Sequence, residues 1–293
     1  MIASQHKPLD TEPILGILRN PRTQTLADRL VREATVQNLA FREIDLVTLR
    51  AVGGEITDAT GPVHITHLAP GTTYGEPEGA LAVVELERCG VRVLNTAAAA
   101  AAADDKIATA RLLDAHSVTQ PEWAIVAPEC IDDALFFDLP FVLKRPVGAL
   151  GTWNRLVTTS EELQPAALEL FAEGVCDLLA QQAITESFGT SIRVVVLGDQ
   201  VLAATQLRAQ PGEWRSNGAL GAVGADIELG DQGARLAVAA TKALGLGYAG
   251  VDLISTRAGF MVLEVNAASP FDGAERRTGR NIAHLLLTAL LQR

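Results

Sequence analysis

The sequence predicts an α/β chain that begins with a parallel sheet and ends in an antiparallel, strand-rich third. Three observations carry this. The short apolar run Ile14 to Leu18 leads into a helical pattern over Thr25 to Leu39 and a second strand from Phe41 to Leu49, the β-loop-α-β order of a parallel sheet. Ser191 to Leu197 and Gln200 to Gln206 are apolar, β-branched runs around Gly198-Asp199, a strong hairpin signal. Ala249 to Ile254 and Phe260 to Val265 form two more strands around Thr256-Arg257-Ala258-Gly259. At 293 residues the chain has room for two or three domains.

The elements follow in order. Arg19-Asn20-Pro21 breaks the first strand, and Leu26, Leu30, Ala34 and Leu39 fall near one face of the first helix. Gly53 to Gly79 is rich in Gly, Pro and Thr and reads as loop-dominated; Leu81 to Cys89 reads as helix and Val91 to Leu94 as strand. The alanine run 97–103 favours helix by propensity and runs into a second helical pattern, DDKIATARLLDAH. Pro140 to Lys144 and Leu156 to Thr158 read as a hairpin with a glycine-bearing loop, Arg145 to Gly151, at its tip. Asp231 to Leu244 is an amphipathic helix stopped by Gly245, and Thr278 to Leu291 reads as one final helix.

Charge and composition exclude several functions. Twenty-four basic against 35 acidic residues give a net charge of −11, which argues against a nucleic-acid surface but not against a small phosphorylated ligand. Aromatic residues at 4% are too few for a base-stacking platform. Cys89, Cys130 and Cys176 have no CxxC spacing, so neither a disulfide framework nor a cysteine-rich zinc site is expected. No apolar stretch is long enough to span a membrane, and MIASQHKPLDTEP has no apolar segment after its lysine, so a cytoplasmic protein is expected.

Several residues can carry chemistry. Glu264 and Asn266 are two apart and share a strand face, and Asp252 lies on the adjacent strand. Such oxygen donors suit Mg²⁺, or equally pair with local arginines and cap turns. Lys144 ends an apolar strand, where a buried ammonium needs an anion, and the glycines after it allow backbone N–H groups to approach a phosphate. Read alone, Lys106 is a solvated helix lysine. Arg193 sits inside an apolar strand and needs a partner, either Glu186, Asp252 or a ligand. Arg215, in Trp214-Arg215-Ser216-Asn217, is a further oxyanion donor. The five histidines form no metal set, and His64 and His67 read as surface or satisfied residues.

Together and in this order, these segments resemble the ATP-grasp ligases, most closely the RimK-like branch of ribosomal-protein glutamate ligases and their relatives. The resemblance runs from about Ile14 to Ile282. It is carried by ILGILRNPRTQTLADRLVREA, LNTAAAAAAADDKIATARLL, FVLKRPVGALGTWNRLV, QQAITESFGTSIRVVVLGDQVLAAT, GEWRSNGALGA, GYAGVDLI and LEVNAASPFDGAERRTGRNIA. It implies an N-terminal pre-ATP-grasp α/β domain (1–95), a central lobe with the glycine loop (96–180) and a C-terminal lobe with the metal site (181–293), ATP lying between the last two.

By position, the resemblance gives Lys106 and Lys144 to the ATP phosphates, with the Gly148–Gly151 loop closing over them. The backbone of Gln182, Ala183 and Ile184 meets adenine, with Ser191 near the nucleotide. Arg215, Ser216 and Asn217 line the phosphate side, Arg193 stabilises the reacting group, and Asp252, Glu264 and Asn266 hold Mg²⁺ or Mn²⁺. The family commonly has acidic residues where Gln182 and Ser191 stand, and His-Arg-Gly-Gly where this chain has Gly218-Ala219-Leu220-Gly221. An acceptor other than the ribosomal-protein type is therefore expected. The implied activity is an ADP-forming carboxylate–amine ligase working through an acyl phosphate, adding an amino acid, glutamate, to a carboxylate-bearing peptide or small molecule, in a homo-oligomer. The alternatives are a ligase acting on an amino-group carrier protein and a non-catalytic nucleotide-binding protein of the same fold.

Overall fold

The computed structural model describes residues 14–20, 24–73, 76–148 and 151–292. The leaderless reading of residues 1–13, the break at Pro21, residues 74–75 of the Gly53–Gly79 stretch, and Ala149 and Leu150 of the glycine loop lie outside these.

The N-terminal unit is a four-stranded, all-parallel sheet. Strand β1 (Leu15–Arg19) pairs with β2 (Phe41–Asp45) after helix α1 (Gln24–Val36). A small antiparallel sheet, β3 (Arg50–Val52), β4 (Glu55–Asp58) and β5 (Gly61–Pro62), intervenes before β6 (His67–Leu68) joins the other side of β1. Helix α2 (Pro77–Arg88) leads to β7 (Arg92–Val93), completing the order β2-β1-β6-β7. The stretch read as loop-dominated thus supplies the third strand of the sheet. β6 is two residues long, and its place is fixed by pairing with β1 and β7 rather than by any alternation of its own. His67 on β6 is also corrected. It is only 8% exposed, its Nδ1 meets Thr66 Oγ1 at 2.8 Å, and among the described residues its Nε2 has no partner.

The alanine run forms α3 (Ala97–Asp104), capped by Thr96, whose side chain accepts from Ala99 N–H. Asp105 then leaves the helical region and caps α4 (Lys106–Ala115) by accepting from Ile107 and Ala108 N–H. A second sheet, order β10-β9-β11-β8, is entirely antiparallel: β8 (Trp123–Val126), β9 (Phe141–Lys144), β10 (Asn154–Val157) and β11 (Leu178–Gln182). Helix α5 (Ser160–Phe171) covers one face, burying Leu163, Ala167 and Leu170 against Phe141, Leu143 and Val157. Each fully buried aliphatic side chain of this kind contributes about 2 kcal/mol.

The third sheet has the order β14-β13-β12-β15-β16: β12 (Thr190–Leu197), β13 (Gln200–Arg208), β14 (Val223–Asp226), β15 (Tyr248–Thr256) and β16 (Gly259–Asn266). Helix α6 (Gly230–Ala243) packs Ala237 and Ala240 onto it and is followed by Gly245 at φ 69°, a left-handed position that favours glycine. The helix expected from Thr278 begins at Ile282, as α8 (Ile282–Leu291), and a further short helix, α7 (Asp272–Thr278), precedes it; Gly279 at φ 69° separates the two. α8 buries Ile282, Leu286, Leu287 and Leu290 in a core shared with Leu26 and Leu30 of α1.

Asn95 ties the N-terminal unit to the third sheet. Its Nδ2 donates to Tyr248 O (2.8 Å) and Ala267 O (2.9 Å), and its Oδ1 accepts from Gly247 and Tyr248 N–H (2.8 and 2.9 Å). Asn95→Ala leaves these backbone groups unpartnered and is expected to cost about 2–4 kcal/mol. Asn95→Asp, which cannot donate to the two carbonyls, is expected to cost nearly as much. The urea midpoint of each variant checks this.

Candidate active site

A cleft opens between the second and third sheets. Every residue assigned from the resemblance to ATP, the metal or the reacting group lines it except Asn266. Asn266 lies at the end of β16, and its Nδ2 donates to Gly250 O at 3.3 Å.

The carboxylate side is set by strand register. Arg193 of β12 lies opposite Asp252 of β15, and Asp252 lies opposite Glu264 of β16. Directly opposed residues share a sheet face, so the three side chains stand in one row. A bulge makes this possible. Leu253 pairs with Val262 while Asp252 pairs with Glu264, leaving Leu263 as an extra residue. In a regular strand Val262 and Glu264 would share a face. The bulge sends Val262 into the core and turns Glu264 onto the face of Asp252.

Arg193 finds its partner in Asp252 rather than Glu186, which pairs with Arg257 instead. Its Nη2 donates to Asp252 Oδ2 at 2.7 Å, its Nε to Oδ1, and its Nη1 to Ser269 Oγ at 2.9 Å. Burial opposes the guanidinium charge, but Asp252 outweighs it and raises the pKa further. Gly250 makes room for this group, because a Cβ there would lie 2.2 Å from Ser269 Oγ.

The cationic side comes from the second sheet and α4. Lys144 ends β9, is 7% exposed, and donates to Gln181 Oε1 at 2.6 Å. Burial lowers its pKa to about 8; Glu264 and Asp252 act to raise it and Lys106 to lower it. The folded lysine releases its proton before the unfolded one does. Its contribution to stability therefore rises with pH between about 8 and 10.5. Lys106 opens α4, which is pinned to the strand extension by Lys106 N–H to Pro146 O (2.9 Å). Its ammonium donates to Gly148 O (2.9 Å) and lies 3.8 Å from Glu264.

Gly148 and Gly151 border the glycine loop, and the carbonyl of each accepts from a cation. Arg215 Nη1 donates to Gly151 O at 3.0 Å while Arg145 stacks 3.7 Å over the Trp153 ring. Arg215 is also gripped by Glu213, which it holds down at about 2. Ser216 donates to Ser191 at 2.7 Å. Asn217 Nδ2 lies 3.7 Å from where a Cβ on Gly151 would be. At the hinge, Gln182 N–H goes to Glu122 O (2.8 Å) and Ala183 N–H to Pro140 O (3.4 Å).

Sequence reasoning missed Gln181, Glu213, Arg145 and Trp153. Gln181 was detectable, since it faces inward from an apolar strand beside the lysine strand. Glu213 carried no signal beyond its nearness to Arg215.

A row of cations opposite two carboxylates suits a polyphosphate bound with a hard divalent ion. Among the described residues no group of three or more His, Cys, Asp or Glu is arranged to hold a metal. Asp252 and Glu264 fit Mg²⁺ as two oxygen donors that share the ion with phosphate oxygens.

Two antiparallel sheets facing one another, with a lysine strand and glycine loop on one and a carboxylate pair on the other, define the ATP-grasp class of ligase. The match is carried further by comparison. The RimK-like ATP-grasp domain model matches residues 103–290. The probable alpha-L-glutamate ligase 1 of Hahella chejuensis is 34% identical over 211 residues, covering 71% of this chain and 69% of that protein. Among solved structures, the RimK domain protein ATP-grasp from Sphaerobacter thermophilus has a TM-score of 0.71 at 20% identity, covering 95% of this chain and 99% of that one. The ATP-grasp ligase PsnB complexed with minimal precursor, Mg and ADP has a TM-score of 0.68 at 19% identity, covering 96% and 98%. At these identities the structural likeness establishes the fold. The chain belongs to the RimK-like ATP-grasp family, which uses ATP, and it is an ADP-forming ligase.

Proposed function

We propose that the chain joins glutamate, through its amine, to a carboxylate on a peptide or small molecule, by way of an acyl phosphate. The observation that carries this is the convergence of Lys106, Lys144, Arg193 and Arg215 with Asp252 and Glu264 on one cleft. The relatives named glutamate ligases support the amino acid, and the PsnB complex with a precursor supports a peptide acceptor. A non-catalytic protein would have no need to keep a lysine buried beside two carboxylates, since burying unused charge is costly.

ATP would lie between the 96–180 and 181–293 lobes. Adenine would pack among Val142, Ile254 and Leu263. Of the hinge N–H groups, Ile184 has no protein acceptor among the described residues, which suits it to an adenine nitrogen. Lys106 and Arg215 now hold the loop carbonyls of Gly148 and Gly151 and would turn to phosphate oxygens as the loop takes up its N–H contacts. Mg²⁺ bound by Asp252 and Glu264, with Asn266 at the strand end, would offset charge on the transferring phosphoryl group. Three of the five N–H donors of Arg193 are used, leaving two for the reacting carboxylate or phosphoryl oxygens. The acceptor carboxylate attacks the γ-phosphate, ADP leaves, and the amine then displaces phosphate from the acyl carbon. No side-chain nucleophile is required.

The buried lysine makes ATP binding pH-dependent. Phosphate favours the ammonium form, so affinity is expected to hold below about pH 8 and fall as pH rises through it, with proton uptake on binding above that point. Calorimetry in buffers of different ionisation enthalpy measures that uptake; its absence would remove Lys144 from the phosphates.

Candidate peptides and small carboxylates incubated with ATP, Mg²⁺ and a mixture of amino acids are expected to gain the mass of one or more glutamates. Gain of a different amino acid would correct the substrate, and ADP formation without any gain would contradict the ligase reading.

A further inference from the structure

The N-terminal sheet changes direction beside the cleft. From β1 the chain passes by α1 to β2 on one side and returns to β6 on the other, so β1 and β6 flank a topological switch point. In open parallel sheets the crevice outside the carboxyl ends of such strands is where ligands bind. Here those ends are Asn20 and the Ala69–Thr73 segment. Asn20 is 2% exposed and donates to Thr72 O at 3.1 Å, and Gly71 lies against Leu18, with room for no more than a tight Cβ contact of 3.1 Å. Thr72 Oγ1 in turn reaches Asp104 Oδ2 at 3.4 Å.

Asp104 caps no helix. Its neighbour Asp105 caps α4, but Asp104 is the last residue of α3, where the helix dipole disfavours a negative charge. Among the described residues no Lys or Arg nitrogen lies within ion-pair distance of it. Burial pushes its pKa up to about 6, opposed by Thr72 and Lys106 and reinforced by Glu264. A half-buried carboxylate that pays these costs beside the Lys106–Glu264 pair is placed for a cation that arrives with a substrate.

We propose that the crevice at the ends of β1 and β6 receives the amine substrate, and that Asp104, steadied by Thr72, pairs with its ammonium group. This rests on the ligase reading and adds to it the seat of the nucleophile. It puts the amine beside the Lys106–Glu264 pair that lines the cleft.

The test separates the two half-reactions in the full-length protein. Hydroxylamine, which is neutral and small, traps the acyl phosphate as a hydroxamate without needing an ammonium site. With the carboxylate acceptor found in the mass screen, Asp104→Asn is expected to keep the hydroxamate rate within about twofold of the parent while raising the KM for glutamate about tenfold or more. Asp104→Glu is expected to recover part of that loss. An unchanged glutamate KM, or a hydroxamate rate that falls in step, overturns the proposal. If the parent itself forms no hydroxamate, the ligase reading fails and this inference falls with it.

Discussion

Asp252→Asn combined with Glu264→Gln is expected to lower turnover about a thousandfold or more while leaving the protein folded. The two carboxylates face each other across β15 and β16, and their loss removes the oxygen donors proposed for the divalent ion. Charge stabilisation of a transferring phosphoryl group is worth several kcal/mol, and about 4 kcal/mol is a thousandfold. The isosteric replacements matter because Asp252 is also the partner of Arg193. Asn keeps an acceptor oxygen for the guanidinium. Asp252→Ala would leave that cation uncompensated, at a cost of about 3 kcal/mol. Melting temperature and turnover measured side by side distinguish the two effects. Turnover unchanged in a folded double variant would remove both residues from the metal site.

Lys144→Met is likewise expected to lower activity without lowering stability. The ammonium is buried with Gln181 as its hydrogen-bond partner, so replacing it by an apolar chain of similar length relieves a desolvation cost and leaves one amide oxygen short of a donor. These roughly cancel. Catalysis should fall about a hundredfold or more in kcat/KM for ATP, because no water can take the place of a buried cation at the phosphates. Lys106, whose side chain is more accessible at the start of α4 and already shared with Gly148 and Glu264, should matter less. A Lys144→Met protein with parental kcat/KM would contradict the assignment.

Where local signal was strong, the sequence was readable. The β12–β13 hairpin announced itself through β-branched runs around Gly198-Asp199, and α6 through its amphipathic face and Gly245. The β9–β10 hairpin with its lysine and glycines was equally plain. What escaped was set by long-range pairing. β6 is two residues of strand inside a Gly- and Pro-rich stretch, and only its neighbours make it a strand. The bulge at Leu263 leaves no mark in Met261-Val262-Leu263-Glu264, yet it decides which face Glu264 takes. Helix α7, which stops at Gly279, was overshadowed by the apolar run that follows. In the cleft, the charged residues were legible by type and order, whereas their protein partners, Gln181 for Lys144 and Glu213 for Arg215, depend on geometry that spacing does not encode.

The central claim is that ATP activates a carboxylate as an acyl phosphate in the cleft between the second and third sheets. Heavy-oxygen labelling of the acceptor carboxylate tests it most directly. During ligation one labelled oxygen is expected to leave with the phosphate, so that released phosphate carries the label in proportion to the amide formed and ADP carries none. Amide formation with unlabelled phosphate, or with label in AMP, would contradict the account.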